Sequence, residues 1–157
     1  MLLNDTDLHA LNESELFKPL GDAHVRTIAE IATVSVVPPG EVLMKQGEWS
    51  EMYAIVDGML RAEVQTLAGP YAIVISAPEV CGWPALVYPY TQIATISTAT
   101  ECRLITLPVQ ALRALLDADE SMKLAVIMQI AVLAIRQVHS AASVLNGNEP
   151  FSSVSPA

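Results

Sequence analysis

YAIVDGMLRAEV, from Tyr53 to Val64, joins two β-prone runs through the dipeptide Asp57-Gly58. A two-residue type I′ turn needs positive φ at both central positions, and Asp-Gly tolerates that conformation best. The stretch therefore predicts a tight antiparallel hairpin, one strand ending at Val56 and the next starting at Met59.

Outward from that turn the same texture continues in both directions. TVSVV, EVLM, MYAIV, MLRAEVQ, YAIVIS, IATIST and CRLITL fill the segment from Thr33 to Leu107, punctuated by the turn signals PPG, QGE, DG, AGP and TATE. Seven short strands at close, even spacing favour a barrel or jelly roll over a parallel sheet.

Both flanks of this β-rich segment carry helical signals. ESELFKPL predicts a short helix ended by Pro19 and Gly21, and Asp22 caps a second helix with Val25, Ile28, Ala29 and Ala32 on one face. After Pro108, VQALRALLDAD reads as another helix. Asp119 then opens ESMKLAVIMQIAVLAIRQVHSAASVL, the longest element, with Gly147 as its C′ residue. The expected fold class is α+β: a β-roll of jelly-roll type with N-terminal helices and a long C-terminal dimerisation helix. Residues 1–12 are expected to be a flexible leader, 13–145 the folded domain, and 146–157, rich in Gly, Pro and Ser, a disordered tail.

That last helix is apolar on nearly every face, more than one small barrel can cover. A symmetric partner helix across a two-fold axis is the expected cover, with Leu124, Ile127, Ile130, Ala134 and Val138 as interface candidates. Burial of all faces within the monomer is the alternative.

Bulk properties exclude several function classes. A chain of 157 residues supports one core. Its net charge of −9, with eight scattered Lys and Arg, repels phosphates, so direct nucleic-acid binding is not expected. The N-terminus lacks the basic and apolar regions of a secretory signal, and a cytoplasmic location is expected. The most apolar run, Leu124 to Ile135, is too short to cross a bilayer, so no membrane partner is expected. Cys81 and Cys102 lack CxxC spacing and read as buried reduced thiols. His9, His24 and His139 are too dispersed to form a metal site or to serve as a base beside a nucleophile. No catalytic residue and no metal is expected, and the chain does not read as an enzyme.

The order of helices, roll, hinge helix and long apolar helix resembles cyclic-nucleotide-binding domains of the catabolite-activator and protein-kinase-regulatory type, over about Leu16 to Val144. The matching residues are Phe17 with Leu20, PPGEVLMKQGE with Gly40 and Gly47, YAIVDGMLRAEV, and Ala94-Thr95 following Gly82. The resemblance implies a phosphate-binding cassette, in the family Phe-Gly-Glu, a short helix, then Arg followed one residue later by Ala-Thr. Its Glu accepts the ribose 2′-hydroxyl and its Arg pairs the cyclic phosphate. Here Cys81-Gly82-Trp83 and Gln92-Ile93-Ala94-Thr95 stand in those places, putting Trp83 in the Glu slot and Gln92 in the Arg slot. The Gly-Trp opening with Tyr88-Pro89-Tyr90 resembles bacterial single-domain members of the superfamily.

By that resemblance Gly82, Trp83, Ala85, Leu86, Gln92, Ala94 and Thr95 are the ligand-pocket candidates. From Val80 to Ile96 there is no charged residue. Losing both the acid and the guanidinium weakens nucleotide binding by roughly a hundredfold or more. Pro84 also removes one backbone donor from the turn. No cofactor is expected, and cAMP or cGMP is disfavoured. Trp83 either plugs the pocket or stacks on a flat ligand. Thr91, Gln92 and Thr95 either face a neutral polar ligand or make ordinary strand hydrogen bonds. The Tyr88–Tyr90 loop is a lid, a docking patch or a packed turn.

Two functions follow. One is a stand-alone regulatory or sensor domain, homodimeric through Asp119 to Leu145, with Pro108 to Asp117 as its hinge. The other is a protein-interaction scaffold that keeps the roll as a rigid dimer platform. A transcription factor ranks third, because the chain ends at Ala157 after its Ser/Pro tail with no room for a helix-turn-helix.

Overall fold

A computed structural model describes residues 1–145. Two helices, α1 (Asp5–Glu13) and α2 (Asp22–Ile31), lead into eight strands: β1 (Thr33–Val37), β2 (Val42–Met44), β3 (Met52–Asp57), β4 (Met59–Thr66), β5 (Gly69–Ser76), β6 (Val80–Cys81), β7 (Thr95–Thr98) and β8 (Cys102–Leu107). Helices α3 (Val109–Ala118) and α4 (Glu120–Leu145) follow. The strands form two antiparallel four-stranded sheets, ordered β1-β8-β3-β6 and β2-β7-β4-β5. This is the expected α+β roll.

Alternation along β3 shows how the layers stack. Met52 and Ala54 face the helices in one core with Phe17, Ile28, Leu112 and Val126. Ile55, one residue on, faces the second sheet with Leu60, Ala62, Ile96 and Leu104. Successive side chains of a strand point to opposite faces, so one sheet serves two cores. The other sheet buries Leu60 and Ala62 but leaves Arg61 exposed.

The Asp57-Gly58 hairpin is not formed. β3 pairs with β6 and β8, and β4 pairs with β5 and β7, so the chain changes sheets at this dipeptide. The type I′ conformation is absent too, because Asp57 does not take positive φ; the signal marked where the chain turns, not which strands pair. Gly58 does adopt φ +97, and a Cβ there would lie 2.5 Å from the Glu101 carbonyl oxygen and 2.7 Å from Cys102 Sγ. Glycine is required because the β7–β8 turn passes directly against it. The two-residue hairpin lies one strand later, at Leu67-Ala68, between Thr66 and Gly69.

Residues 1–12 are not a loose leader, because α1 begins at Asp5. Asn4 Oδ1 accepts from the Asp7 N–H and Asp7 Oδ2 from the Asn4 N–H, both at 2.9 Å, a reciprocal cap that satisfies two helix-end donors. Leu11 is fully buried, and Arg103 on β8 grips Asp7 with Nε at 2.7 Å and Nη2 at 2.8 Å. The helix expected over ESELFKPL is instead a run of turns, begun by the Ser14 hydroxyl donating to the Leu11 carbonyl at 2.6 Å.

Helix α4 buries Met122, Val126, Ile130 and Leu133, spaced at three and four residues, against the roll. Ile130, offered as an interface residue, therefore faces inward, and Ala134 is half-buried against the same core. Leu124, Ile127 and Val138 do face outward, at 64, 36 and 66% exposure. Over Glu120–Ser143 the helix is long and apolar enough to cross a membrane, more than the twelve-residue run suggested. Gln129 lies within this apolar helix, and its Nε2 donates to the Glu15 carbonyl at 2.6 Å. The Gly147 C′ position and the tail lie outside the described residues.

Candidate functional site

Gly82 fixes the opening of the cassette. Its φ is +90, and a Cβ there would lie 2.7 Å from the Glu51 carbonyl oxygen and 2.9 Å from Met52 Cα, so only glycine lets this turn press against β3. A short 3₁₀ turn, Trp83–Leu86, follows. Its donors are few: Pro84 has no N–H, and the Ala85 N–H is spent on the Gly82 carbonyl at 3.1 Å.

Gln92 returns to the same carbonyl. Its side chain is buried, and its Nε2 donates to Gly82 O at 3.2 Å. Its backbone is clamped from the other side, N–H to the Glu48 carbonyl at 2.8 Å and carbonyl from the Gly47 N–H at 2.7 Å. The amide that stands in the arginine slot thus ties the two ends of the cassette together.

Above these residues lies a cavity of about 90 Å³. Trp83, Ala62, Ile73, Ile75 and Ile96 supply apolar wall, and Leu133, Arg136, Gln137 and Ser140 of α4 close one side. The charged groups at its edge are Glu15, Glu79 and Arg136. Arg136 Nη1 is already committed to Glu15 Oε2 at 2.8 Å. Burial raises the carboxyl of Glu15 above its ordinary value despite that partner. Burial, and then the neighbouring Glu15 charge, push Glu79 up to about 7. With that guanidinium held by Glu15, and Glu79 without a cation in ion-pair distance among the described residues, the cavity is hostile to a phosphate.

Of the seven pocket candidates, Gly82, Trp83, Gln92 and Ala94 line the cavity. Ala85 and Leu86 instead join the core beneath the helices. Thr95 opens β7, where its hydroxyl accepts from the Gln46 N–H at 3.1 Å. Sequence reasoning missed Glu15, Glu79 and Arg136, which come from three separate parts of the chain. The one available signal was Arg136, a charge inside an apolar helix.

The Tyr88–Tyr90 loop is anchored at one end. Tyr90, at φ 66, meets the Tyr88 ring edge-on at 6.0 Å, and Arg113 of α3 stacks 4.6 Å from its ring centre. Tyr88 itself is 84% exposed. Glu51, whose backbone Gly82 touches, accepts the Val109 N–H with its carboxylate at the start of α3. The cassette is therefore linked to α3 at two points. Both cysteines are buried and unpaired, and burial pushes the Cys81 thiol to about 12, leaving it protonated and unreactive.

The model of the cyclic nucleotide-binding domain family matches residues 34–119, more than half of the chain. The chain belongs to this family. Solved structures carry the same fold at low identity. A candidate cyclic nucleotide-binding protein from Geobacter metallireducens GS-15 superposes with a TM-score of 0.71 at 14% identity, covering 87% of this chain and 100% of that one. The N-terminal domain of a transcriptional regulator from Streptomyces coelicolor A3(2) gives 0.66 at 21%, over 93% and 99%. The Thermus thermophilus catabolite activator protein gives 0.67 at 20%, over 85% of this chain and 62% of that longer one. No curated protein matches. Within this family the cassette falls inside the matched segment, and α4, which closes the cavity, falls outside it.

Proposed function

We propose that this cyclic nucleotide-binding-family chain is a non-enzymatic regulatory domain, working in the cytoplasm as a homodimer, whose cassette does not hold cAMP or cGMP in the family's usual way. The observation that carries the reading is the charge at the cavity: Arg136 is its one cation among the described residues and is bound to Glu15, while Gln92 is bound to Gly82. A cyclic phosphate entering here would lose its water and gain no free guanidinium.

An occupant of this cavity would touch Trp83 on one side and Leu133 and Arg136 on the other, so it would bridge the cassette and α4. The dimer reading rests on α4. Leu124, Met128, Ala131, Ile135, Val138 and Ala142 are all exposed and recur at alternating spacings of four and three, the seam of a two-stranded coiled coil.

The protein-interaction scaffold remains the second reading, supported by Tyr88, an exposed aromatic side chain on an anchored loop. A thermal-shift panel of cyclic mono- and dinucleotides separates the two. The sensor reading expects no response to cAMP or cGMP, and a clear rise in melting temperature with either overturns it. Light scattering should give a dimer mass for the chain and a monomer mass for Ile135→Glu, and a wild-type monomer refutes the α4 seam.

A further inference from the structure

The family's cassette is built to satisfy an anion, and this cavity makes the opposite demand. Glu79 lines it, yet among the described residues no Lys, Arg or His nitrogen lies within ion-pair distance of its carboxylate. The charged and titratable groups facing it are Glu15 before α2, Arg136 on α4, Tyr71 on β5 and Cys81 on β6. Arg136 is held by Glu15 at 2.8 Å, so its charge is already shared. The cavity edge is left with one carboxylate that has lost water and gained no cation, beside walls that are mainly aliphatic and an indole from Trp83.

We propose that the cassette cavity is a receptor for a small primary ammonium carried on an apolar body, with Glu79 as its counter-ion. The inference rests on the reading that the cassette takes no cyclic nucleotide, and it adds the class of ligand. The aliphatic walls accept the body of the ligand, while Glu79 accepts from its –NH₃⁺. The side-chain carbonyl of Gln92, whose NH₂ is turned to Gly82, offers a second acceptor at the same wall. Arg136 and Glu15 remain paired, which leaves Glu79 as the carboxylate available to the ammonium. An anionic ligand meets two acids here, and a neutral one leaves Glu79 uncompensated.

Protonation of Glu79 competes with the ligand. Its carboxyl titrates near 7, whereas an alkylammonium, like lysine, keeps its proton to about 10. Affinity should rise as pH passes through 7, with one proton released per ligand bound at pH 6.

The test is calorimetric titration of the whole chain with three matched probes, 3-methylbutylamine, 3-methylbutanol and 4-methylpentanoate, and with cAMP, at pH 6 and pH 8. The amine should bind about tenfold tighter at pH 8 than at pH 6 and at least tenfold tighter than the alcohol, with no heat from the carboxylate. Glu79→Gln should lose tenfold or more in amine affinity together with the pH dependence. Should that variant fail to fold by near-ultraviolet circular dichroism, the proton released by the wild type, read from buffers of different ionisation enthalpy, decides instead. Equal affinity for alcohol and amine, an amine affinity indifferent to pH, or silence from all three probes each overturns the ammonium site. Binding of cAMP overturns the reading beneath it, and silence from both cAMP and amine overturns the ammonium site alone.

Discussion

Two arginines meet carboxylates inside this fold, with opposite results. Arg103 closes on Asp7 with two nitrogens, one guanidinium for one carboxylate, and that hydrogen bonding holds Asp7 below its ordinary value. Arg136 pairs with Glu15 alone, Glu79 has no cation within ion-pair distance among the described residues, and burial keeps both of those acids above theirs. In both pairs the acid is largely buried and the guanidinium partly exposed. The difference is the cost of burial: at Asp7 the two guanidinium hydrogen bonds outweigh it, whereas at Glu15 it outweighs Arg136 and at Glu79 no ion pair opposes it. The first arrangement fastens α1 to the roll, and the second sets the electrostatic character of the cavity.

Breaking the first pair should have the larger effect. Asp7→Ala leaves Arg103 without its partner and uncaps α1, and is expected to lower unfolding free energy by about 3 kcal/mol in urea at pH 7. Arg136→Met leaves the largely buried Glu15 without its cation, so a loss of about 1–2 kcal/mol is expected at pH 8, shrinking as falling pH lets Glu15 protonate. Glu79→Gln should do the reverse of harm, adding on the order of 1 kcal/mol at pH 8, after allowance for its partial exposure, and almost nothing at pH 5. A loss of stability in that variant at pH 8 would mean that Glu79 has a partner after all.

The same comparison sets two pH windows. Glu79 holds its proton more tightly folded than unfolded, so its contribution is complete below about 4.5 and disappears as pH rises through about 7. Asp7 is depressed, so its contribution is present above about 3.8 and disappears as pH falls through its folded value. Subtracting the Glu79→Gln stability curve from the wild-type curve should leave a decline confined to pH 4.5–7, and the Asp7→Ala subtraction a rise at acid pH.

The fold was more legible than the site, for a physical reason. Strand runs, the Asp119 cap and the long apolar helix are local patterns, readable from neighbours in sequence; Asp119 Oδ1 accepts the Met122 N–H at 3.1 Å. The capping box of Asn4 and Asp7 was equally local but lacked an apolar run to announce it. Asp57-Gly58 marked the positive φ of Gly58 but not a type I′ turn, since Asp57 keeps negative φ, and it gave the pairing wrongly because pairing depends on β6 and β8, far along the chain. β6, only two residues long, carries no period at all. The cavity was half legible: Gly82, Trp83, Gln92 and Ala94 fall in one contiguous stretch, whereas Glu15, Glu79 and Arg136 meet only after folding. On α4, apolarity alone could not separate Ile130, facing the roll, from Ile135, facing out.

The central claim, that the cassette offers an entering phosphate no free cation, is tested most directly by equilibrium dialysis of labelled cAMP against the whole chain at pH 7. Replacing the acid and guanidinium contacts is worth roughly a hundredfold or more in affinity, so no saturable binding is expected in the micromolar range. A saturating curve with a low-micromolar Kd would contradict the account.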